Sequence, residues 1–197
     1  MSIILETPRL ILRHQVLSDL DDLWALYQNL NITKYIPDAP RSREEAKEEL
    51  EWHMHGHPKN RDLGLLATIH NETGKFIGRC GLLPWQIDGQ AEVEVAYTIA
   101  EAYQGQGLGS EAALAILNYG FTTLKLSRLI CLIDLENIAS QKVAEKIGMG
   151  FEKEARDEYE PFWVYAITTN RLPVAVRKNL SPQMSFRSQT TTLRLAS

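Results

Sequence analysis

The chain has no long uninterrupted apolar run. Charged side chains such as Glu6, Arg9 and Asp22 interrupt its first thirty residues, so this segment has no apolar core of the kind that a signal peptide needs. No later segment is apolar over the roughly 20 residues that a membrane-spanning helix requires. We therefore expect a cytoplasmic protein that does not act in a membrane.

Cysteine is scarce, with two residues in a chain of 197. Cys80 and Cys131 each lie within an apolar stretch, at residues 77–83 and 129–133. Neither belongs to a Cys-x-x-Cys motif or has a neighbouring histidine, so the sequence implies no disulfide framework and does not favour a catalytic thiol. We predict that both are core residues.

Acidic residues are absent from the end of the chain. Residues 172–197 hold four of the 21 Lys and Arg residues and none of the 25 Asp and Glu residues, which leaves residues 1–171 with a formal charge of −8. Because nucleic-acid affinity depends on Lys and Arg that neutralise phosphates, so acidic a body argues against nucleic-acid binding and suits a cationic substrate. The basic segment 172–197, rich in Ser, Thr, Gln and Arg, is predicted to be a tail that is disordered or docked on a partner chain.

We read the remaining chain, residues 1–171, as one domain. Its first half begins with a strand and two helices. An apolar run at 10–12 predicts a strand, and a capping-box-like start at 18–21 predicts a helix that continues to Leu30. The same capping pattern from Ser42 predicts a second helix at 43–54. Apolar runs separated by turns then predict a three-stranded meander at 63–69, 76–83 and 93–99.

The second half alternates helix and strand. Apolar patterns predict helices at 112–124 and 138–146, and strands at 128–134 and 162–167. A strand–helix–strand crossover makes its two strands parallel when both lie in one sheet. The predicted class is therefore α+β with a mixed sheet.

Three glycines, Gly105, Gly107 and Gly109, lie between the strand at 93–99 and the helix that follows. Glycine lets successive backbone N–H groups turn towards one point, and a helix N-terminus adds unpaired donors and a partial positive charge. The segment does not fit the dinucleotide fingerprint, because Ser110 occupies its last glycine position, and no Gly-Lys-Ser/Thr of a P-loop follows. By these residues alone it is either a phosphate cradle or only a structural turn.

The order of several motifs favours the cradle. Gln104-Gly105-Gln106-Gly107-Leu108-Gly109, followed by Ser110-Glu111-Ala112, resembles the acetyl-CoA pyrophosphate motif of the GNAT N-acetyltransferase superfamily. Thr7-Pro8-Arg9-Leu10-Ile11-Leu12-Arg13 resembles the opening of the ribosomal-protein N-terminal acetyltransferase (Rim-type) subgroup. Glu136-Asn137-Ile138-Ala139-Ser140 and Glu145-Lys146-Ile147-Gly148-Met149 resemble its later block, so the likeness covers about residues 5–170.

This resemblance implies a fold and a cofactor. The GNAT fold is a mixed, mostly antiparallel sheet of about six to seven strands, flanked by about four helices and split by a V-shaped opening where coenzyme A lies. The resemblance implies that the loop from Gln104 to Ser110 binds the pyrophosphate of acetyl-CoA. We expect no metal site, for the reason given below for the three histidines at 53–57. It also implies that the backbone of Tyr97, Thr98 and Ile99 binds the pantetheine arm and the thioester carbonyl. Asn137 would bind the pantetheine amide, and an Asn just before a helix is also a good N-cap.

Glu94 is the candidate general base. It lies on the strand before the loop, on the face that it shares with Ala96 and Thr98. A partly buried carboxylate with a raised pKa could take the proton from the acceptor amine. The residues alone also allow a structural salt bridge, but the resemblance, in which a Glu in this strand is often proposed as the base, supports the catalytic role.

The proton donor is harder to assign. Many GNAT enzymes carry a Tyr seven residues after the Asn, where this chain has Ala144. Ser140 is the nearest hydroxyl by sequence, on nearly the same helix face as Asn137, and some Rim-type relatives have a Ser there for which this role was suggested. A helical Ser bonded to a backbone carbonyl is the alternative, and a thiolate could also leave without a dedicated acid.

Two other features carry weaker signals. His53, His55 and His57 invite a zinc site, but on a helix His55 would point away from the other two and no Cys or carboxylate completes the set. We predict a solvated helix end there instead. Most aromatic residues are expected in the core, and the resemblance places Tyr35-Ile36-Pro37 on the wall of the acceptor side.

Together these patterns predict an N-acetyltransferase that moves an acetyl group from acetyl-CoA to a primary amine of a small molecule or peptide, by direct attack in a ternary complex. The alternative is a non-catalytic acyl-CoA sensor or interaction module, which would keep the loop and Asn137 but would not need Glu94. The sequence leaves the acceptor, an acyl group other than acetyl and homodimer formation open.

Overall fold

The computed structural model describes residues 3–156 and 160–171, in which it has eight strands, five α-helices and three 3₁₀ turns. The strands are β1 (Ile3–Glu6), β2 (Leu10–Arg13), β3 (Gly64–His70), β4 (Phe76–Ile87), β5 (Gln90–Ile99), β6 (Arg128–Asp134), β7 (Gly150–Arg156) and β8 (Pro161–Thr168). The helices are α1 (Leu20–Tyr27), α2 (Leu30–Thr33), α3 (Arg43–Met54), α4 (Leu108–Thr122) and α5 (Ile138–Lys146). The predicted basic tail, residues 172–197, lies outside the described residues.

All eight strands form one sheet in the order β1-β2-β3-β4-β5-β6-β8-β7. Neighbouring strands are antiparallel except β5 and β6, which are parallel as the crossover through α4 predicts. The mixed, mostly antiparallel sheet and the predicted meander, now β3 to β5, are therefore confirmed.

The helices pack on both faces of the sheet, and each face has its own hydrophobic cluster. α4 packs against β4, β5 and β6 in the larger cluster, through residues such as Ile116 and Leu117. α1, α2 and α3 form the smaller cluster, through residues such as Leu23 and Leu50. Val95 belongs to the larger cluster, so its neighbour Glu94 faces the side of α1 to α3.

The helix ends are set by local side chains. Helix α1 begins within the predicted stretch at 18–21, but the predicted side-chain cap is absent. Ser42 caps α3 by accepting a hydrogen bond from the Glu45 amide at 3.1 Å, as predicted. The residues at 17–19 form a 3₁₀ turn, and the Asp19 side chain does not cap α1. Its carboxylate instead pairs with both terminal nitrogens of buried Arg13, at 2.6 and 2.7 Å. The helix expected to reach Leu30 is interrupted before it, because Asn29 is extended and caps the separate helix α2.

Cys80 and Cys131 are free and buried in the larger cluster, in line with the core role expected of them. Burial raises the pKa of both thiols, so they stay protonated. Within the described ranges, no helix is long and apolar enough to cross a membrane.

Candidate active site

The opening in the sheet begins at Glu94. β5 and β6 pair at a single position, Glu94 with Ile130. In a continued parallel ladder the Val95 carbonyl would accept a hydrogen bond from the Leu132 amide. It accepts one from the Cys131 thiol instead, at 3.2 Å, while the Leu132 amide donates to the Glu94 carboxylate at 3.4 Å. The ladder therefore stops here, and the strands separate to form the V-shaped opening.

The main chain of β5 lines this opening. Main-chain groups of alternate residues point to the same edge of a strand, so those of Tyr97 and Ile99 face the same way as those of Val95. The Thr98 carbonyl lies against β4, where a Cβ atom added to Gly78 would come within 2.0 Å of it. Of the three residues expected to bind the pantetheine arm, Tyr97 and Ile99 thus have their main chain at the opening and Thr98 does not.

The Gly-rich loop after β5 presents a row of unpaired amides. Gly107 is the N-cap of α4 with φ +79°, and Gly105 has φ +74°, a backbone region that favours glycine. Among the described residues, the amides of 105–110 have no hydrogen-bond acceptor, and the first helical bond here runs from the Glu111 amide to the Gly107 carbonyl at 3.1 Å. Free donors at a helix N-terminus form an anion-binding arrangement.

The two glutamines of the loop hold its shape. Gln104 Nε2 donates to the Ile99 carbonyl at 2.8 Å, and Gln106 Nε2 donates to the Ala102 carbonyl at 3.2 Å. Leu108 is buried and anchors the first turn of α4 in the larger cluster. An anion at this loop would therefore meet main-chain donors rather than the glutamine side chains.

A set of contacts from the β1–β2 turn fixes the loop from outside. Arg9 Nε donates to Glu111 Oε2 at 2.7 Å, and Arg9 Nη1 donates to the Gln106 carbonyl at 2.9 Å. The other carboxylate oxygen, Glu111 Oε1, accepts from the Thr7 hydroxyl at 2.6 Å and from the Arg9 amide at 3.0 Å. Burial alone would raise the pKa of Glu111, but these hydrogen bonds outweigh it and lower the pKa. The carboxylate thus stays ionised and joins the N-terminal hairpin to the first turn of α4.

Helix α5 borders the other side of the opening. Asn137 caps it, with its side-chain oxygen accepting from the Ser140 amide at 3.0 Å, which confirms the predicted N-cap. The Tyr97 hydroxyl donates to the Ser140 carbonyl at 2.9 Å and so ties β5 to α5. The Tyr97 hydroxyl therefore lies beside Ser140, the candidate proton donor. Ala144, where a Tyr is common in GNAT enzymes, is fully buried.

Glu94 is buried where the strands separate, with 9% of its surface exposed. Trp85 Nε1 donates to Glu94 Oε2 at 2.6 Å, beside the contact from Leu132. Burial raises the pKa of Glu94 to about 7, against the lowering effect of these two hydrogen bonds, and the charge of Asp38 raises it further. Among residues 3–156 and 160–171, no Lys or Arg forms an ion pair with Glu94, so this part of the chain does not supply the salt bridge that was the alternative role. A carboxylate with such a pKa is suited to general-base chemistry near neutral pH.

A buried polar cluster lies behind the base, between β4 and helices α1 and α3. Arg79, 4% exposed, pairs with the Glu49 carboxylate at 3.0 Å and donates to the Tyr27 hydroxyl, which donates to Glu49. His53 Nδ1 accepts from the Leu65 amide at 3.1 Å, and burial with the charge of Arg79 lowers the pKa of His53 to about 4. The predicted solvated helix end is therefore wrong for His53, whose side chain faces the sheet. Among residues 3–156 and 160–171, no group of three or more His, Cys, Asp or Glu side chains is placed to hold a metal ion.

The segment at 34–40 carries an exposed carboxylate, Asp38. Its charge raises the pKa of Glu94 and contributes to the raised pKa values of Arg79 and Tyr27. Tyr35, expected on the acceptor side, lines a cleft of about 350 Å³ between this segment and the end of β6. The residues that line the cleft are Lys34, Tyr35, Asp134, Leu135, Glu136, Glu160 and Pro161.

Comparison with known proteins agrees with this geometry. The family model of the acetyltransferase (GNAT) domain matches residues 9–150. The chain belongs to this family. This GNAT acetyltransferase is similar to the Bacillus subtilis protein named uncharacterized N-acetyltransferase YnaD, with 30% identity over 160 residues that cover 80% of this chain and 90% of YnaD.

Two solved structures resemble the GNAT enzyme closely. A GNAT-family acetyltransferase from Bacillus anthracis has a TM-score of 0.69 at 27% identity, and the match covers 85% of this chain and 98% of that one. The spermidine N-acetyltransferase from Vibrio cholerae, in complex with CoA and spermine, has a TM-score of 0.68 at 22% identity and covers 84% of this chain and 98% of its own. The Vibrio cholerae structure, at 22% identity, shows the fold alone. The family model, YnaD and the Bacillus anthracis structure together support an N-acetyltransferase.

Several site residues carried no readable signal in the sequence. Trp85 looked like one aromatic among several, and its bond to Glu94 depends on the register that places it opposite Glu92, diagonal to the base. The pairing of Arg9 with Glu111 joins residues far apart in the chain. Arg9 and Glu111 belong to two of the motifs quoted above, but nothing in the sequence connects the two residues.

Proposed function

We propose that this GNAT enzyme transfers an acetyl group from acetyl-CoA to a primary amine by direct attack in a ternary complex. The observation that carries the proposal is the buried Glu94 carboxylate at the apex of the opening, with its pKa raised to about 7. In this proposal the thioester lies along the edge of β5 at Tyr97 and Ile99, the acceptor lies towards the segment that contains Tyr35, and Glu94 lies between them.

The loop at 104–110 supports acetyl-CoA as the donor. Its free amides and the N-terminus of α4 suit a diphosphate, even in a protein body of net negative charge. The Vibrio cholerae neighbour is a complex with CoA. In this proposal the Tyr97 and Ile99 main chain holds the pantetheine arm, and the side-chain amide of Asn137, whose oxygen caps α5, donates to it.

The chemistry follows from these positions. Glu94 accepts a proton from the ammonium form of the acceptor, and the neutral nitrogen attacks the thioester carbonyl. A main-chain amide of β5 at the opening stabilises the oxyanion. The intermediate collapses, the carbon–sulfur bond breaks, and the coenzyme A thiolate leaves with the electron pair. The second proton of the attacking nitrogen passes to this thiolate, so that the products are the N-acetyl amine and free coenzyme A. No covalent enzyme intermediate is needed, because the protein supplies proximity and electrostatics.

Ser140 is the proposed proton donor to the departing thiolate. Its hydroxyl lies in the first turn of α5, and its carbonyl is fixed by Tyr97. Thiolates leave readily near neutral pH, so this role is smaller than that of the base. A Ser140→Ala variant that keeps the full kcat would remove it.

We propose a cationic amine, on a small molecule or a peptide, as the acceptor. The charge of Asp38 acts on Glu94, and Asp134, Glu136 and Glu160 line the cleft beside Tyr35. The Vibrio cholerae neighbour is a spermidine N-acetyltransferase in complex with spermine. The narrower likeness to the Rim-type subgroup, which would favour a protein N-terminal amine, rests on the segments at 7–13, 136–140 and 145–149. In the first of these, Thr7 and Arg9 contact α4 rather than the acceptor side.

A panel of amines with acetyl-CoA tests the proposal. Polyamines, amino acids, aminoglycosides and peptides with a free N-terminus are incubated with the enzyme, while free thiol release and the mass of the acetylated amine are followed. We expect stoichiometric thiol and N-acetyl product with at least one cationic amine. Tight acetyl-CoA binding without transfer to any class would favour the alternative, a non-catalytic acyl-CoA sensor.

A further inference from the structure

Two cationic side chains meet over the N-cap of α4. A Cβ atom added to Gly107 would lie 3.7 Å from Arg9 Nη2 and 3.9 Å from Lys146 Nζ. Arg9 comes from the β1–β2 turn and Lys146 from the last residue of α5, so three separate segments converge on one glycine. This glycine stands in the middle of the row of unpaired amides at 105–110.

The two cations are in different electrostatic situations. Arg9 is paired with Glu111 at 2.7 Å, and its Nη1 is occupied by the Gln106 carbonyl. Lys146 is exposed, and among the described residues its ammonium has neither a hydrogen bond nor an ion pair. One positive charge at the loop is thus neutralised by the protein itself, and the other is available.

We infer that Lys146 is a direct ligand of the diphosphate of coenzyme A, while Arg9 positions the loop. The inference rests on the proposed use of acetyl-CoA. Lys146 supplies a mobile charge that supplements the main-chain donors, because an ammonium on a flexible stem can follow either phosphate. Arg9 cannot add net charge while it is paired with Glu111, and its hydrogen bond to the Gln106 carbonyl holds the main chain of the loop.

The same position allows a purely structural role, since a cation in the last turn of α5 interacts favourably with the helix dipole. The two roles differ in what they recognise. A phosphate ligand affects only compounds that contain the diphosphate, whereas a helix-end cation affects stability and has no preference among ligands. A comparison of truncated forms of the cofactor therefore separates them.

The experiment measures binding of CoA, 3′-dephospho-CoA and pantetheine by calorimetry, for the wild type and for Lys146→Gln, Lys146→Arg and Lys125→Gln. Lys125 is the matched control, because it lies beyond the opposite end of α4, roughly 25 Å along the helix from Gly107. We expect Lys146→Gln to weaken CoA and 3′-dephospho-CoA equally, by about tenfold. Pantetheine should bind unchanged, Lys146→Arg should stay within about threefold of the wild type, and Lys125→Gln should match it.

The dependence of CoA affinity on salt concentration gives a second test. The affinity of the wild type for CoA should fall more steeply with salt than that of Lys146→Gln, because one screened charge interaction is missing from the variant. Unchanged CoA affinity in Lys146→Gln would overturn the inference, as would a loss confined to CoA, which would assign Lys146 to the 3′-phosphate. A wild type that binds CoA but acetylates no amine would contradict the proposed function and leave this inference standing.

Discussion

Trp85 and Glu94 form a 2.6 Å hydrogen bond between the indole Nε1 and the carboxylate Oε2. The bond holds the carboxylate on the α1–α3 side of β5, where the ladder to β6 has ended. It also stabilises the ionised form and so keeps the pKa of Glu94 from rising above about 7, where burial has brought it. The indole thus positions the carboxylate of the proposed base and partly offsets the effect of burial on its pKa.

Replacement of Trp85 by Phe should move the acid limb of the pH profile of kcat/KM to higher pH. Without the indole donor the pKa of Glu94 rises, by about one unit if the lost bond is of ordinary strength. Activity at pH 6 then falls more than activity at pH 9. Trp52→Phe is the control, because Trp52 is 56% exposed on α3. Identical limbs in the wild type and Trp85→Phe would show that the indole does not act through Glu94.

Gly107→Ala should weaken acetyl-CoA binding and also destabilise the fold. An alanine at φ +79° is strained by about 1 kcal/mol or more, and its methyl group would occupy the space between Arg9 and Lys146. Gly89→Ala is the matched control, since it has φ +75° and nothing within 4 Å of the added Cβ atom. Both variants should lose melting temperature, and Gly107→Ala alone should raise the KM for acetyl-CoA. Equal KM values in the two variants would remove the loop from the binding site.

Glu49→Gln should reduce the free energy of unfolding by about 3 kcal/mol, because it leaves the buried Arg79 guanidinium without a counter-charge. Asp21→Asn breaks the exposed pair with Arg43 at 2.7 Å and serves as the control. It should have little effect, since exposed ion pairs contribute little. Denaturant titration of the three proteins gives the comparison. A Glu49→Gln variant as stable as Asp21→Asn would contradict a buried ionised pair.

His53 should make the fold less stable at acidic pH. Burial and Arg79 lower the pKa of His53 in the folded state to about 4, from the ordinary value of 6.5 that it has when unfolded. The unfolded state therefore binds more protons between these values, and the stability that His53 contributes above pH 6.5 is lost as the pH falls through 4. A His53→Gln variant, whose side-chain oxygen can still accept from Leu65, should lose less stability than the wild type between pH 7 and 4. A parallel loss in both proteins would show that another group controls acid unfolding.

Much of the fold was readable because single segments carry their own signals. Helix α3 occupies the predicted residues, since the Ser42 cap, the apolar spacing and the end before Gly56 all lie in one short stretch. The meander was readable for the same reason. β7 was missed because Gly150–Arg156 carries charged residues at an exposed edge of the sheet and has no apolar alternation. β1 was not separated from β2 because each has only four residues.

The residues of the candidate site likewise fall into those that have a local sequence signal and those that do not. The glycines of the loop and the capping Asn137 have a role set by the local backbone, so the sequence predicts them well. Trp85, Arg9 and Lys146 reach the site through register and packing between distant segments, which no local pattern encodes. His53 shows the opposite error, because a helix end near Gly56 and Pro58 looked solvated while its inner face was covered by β3 and β4.

The pH dependence of kcat/KM for acetyl transfer by the wild type and by Glu94→Gln shows whether Glu94 is the general base. The variant should fold, and above pH 7 it should be more stable than the wild type, since an ionised carboxylate with a raised pKa costs stability as the pH rises through about 7. The wild type should show an acid limb near pH 7. The variant should lose that limb and about 10²-fold or more in kcat/KM at pH 8, with only the titration of the amine left. An unchanged profile in Glu94→Gln would contradict the account.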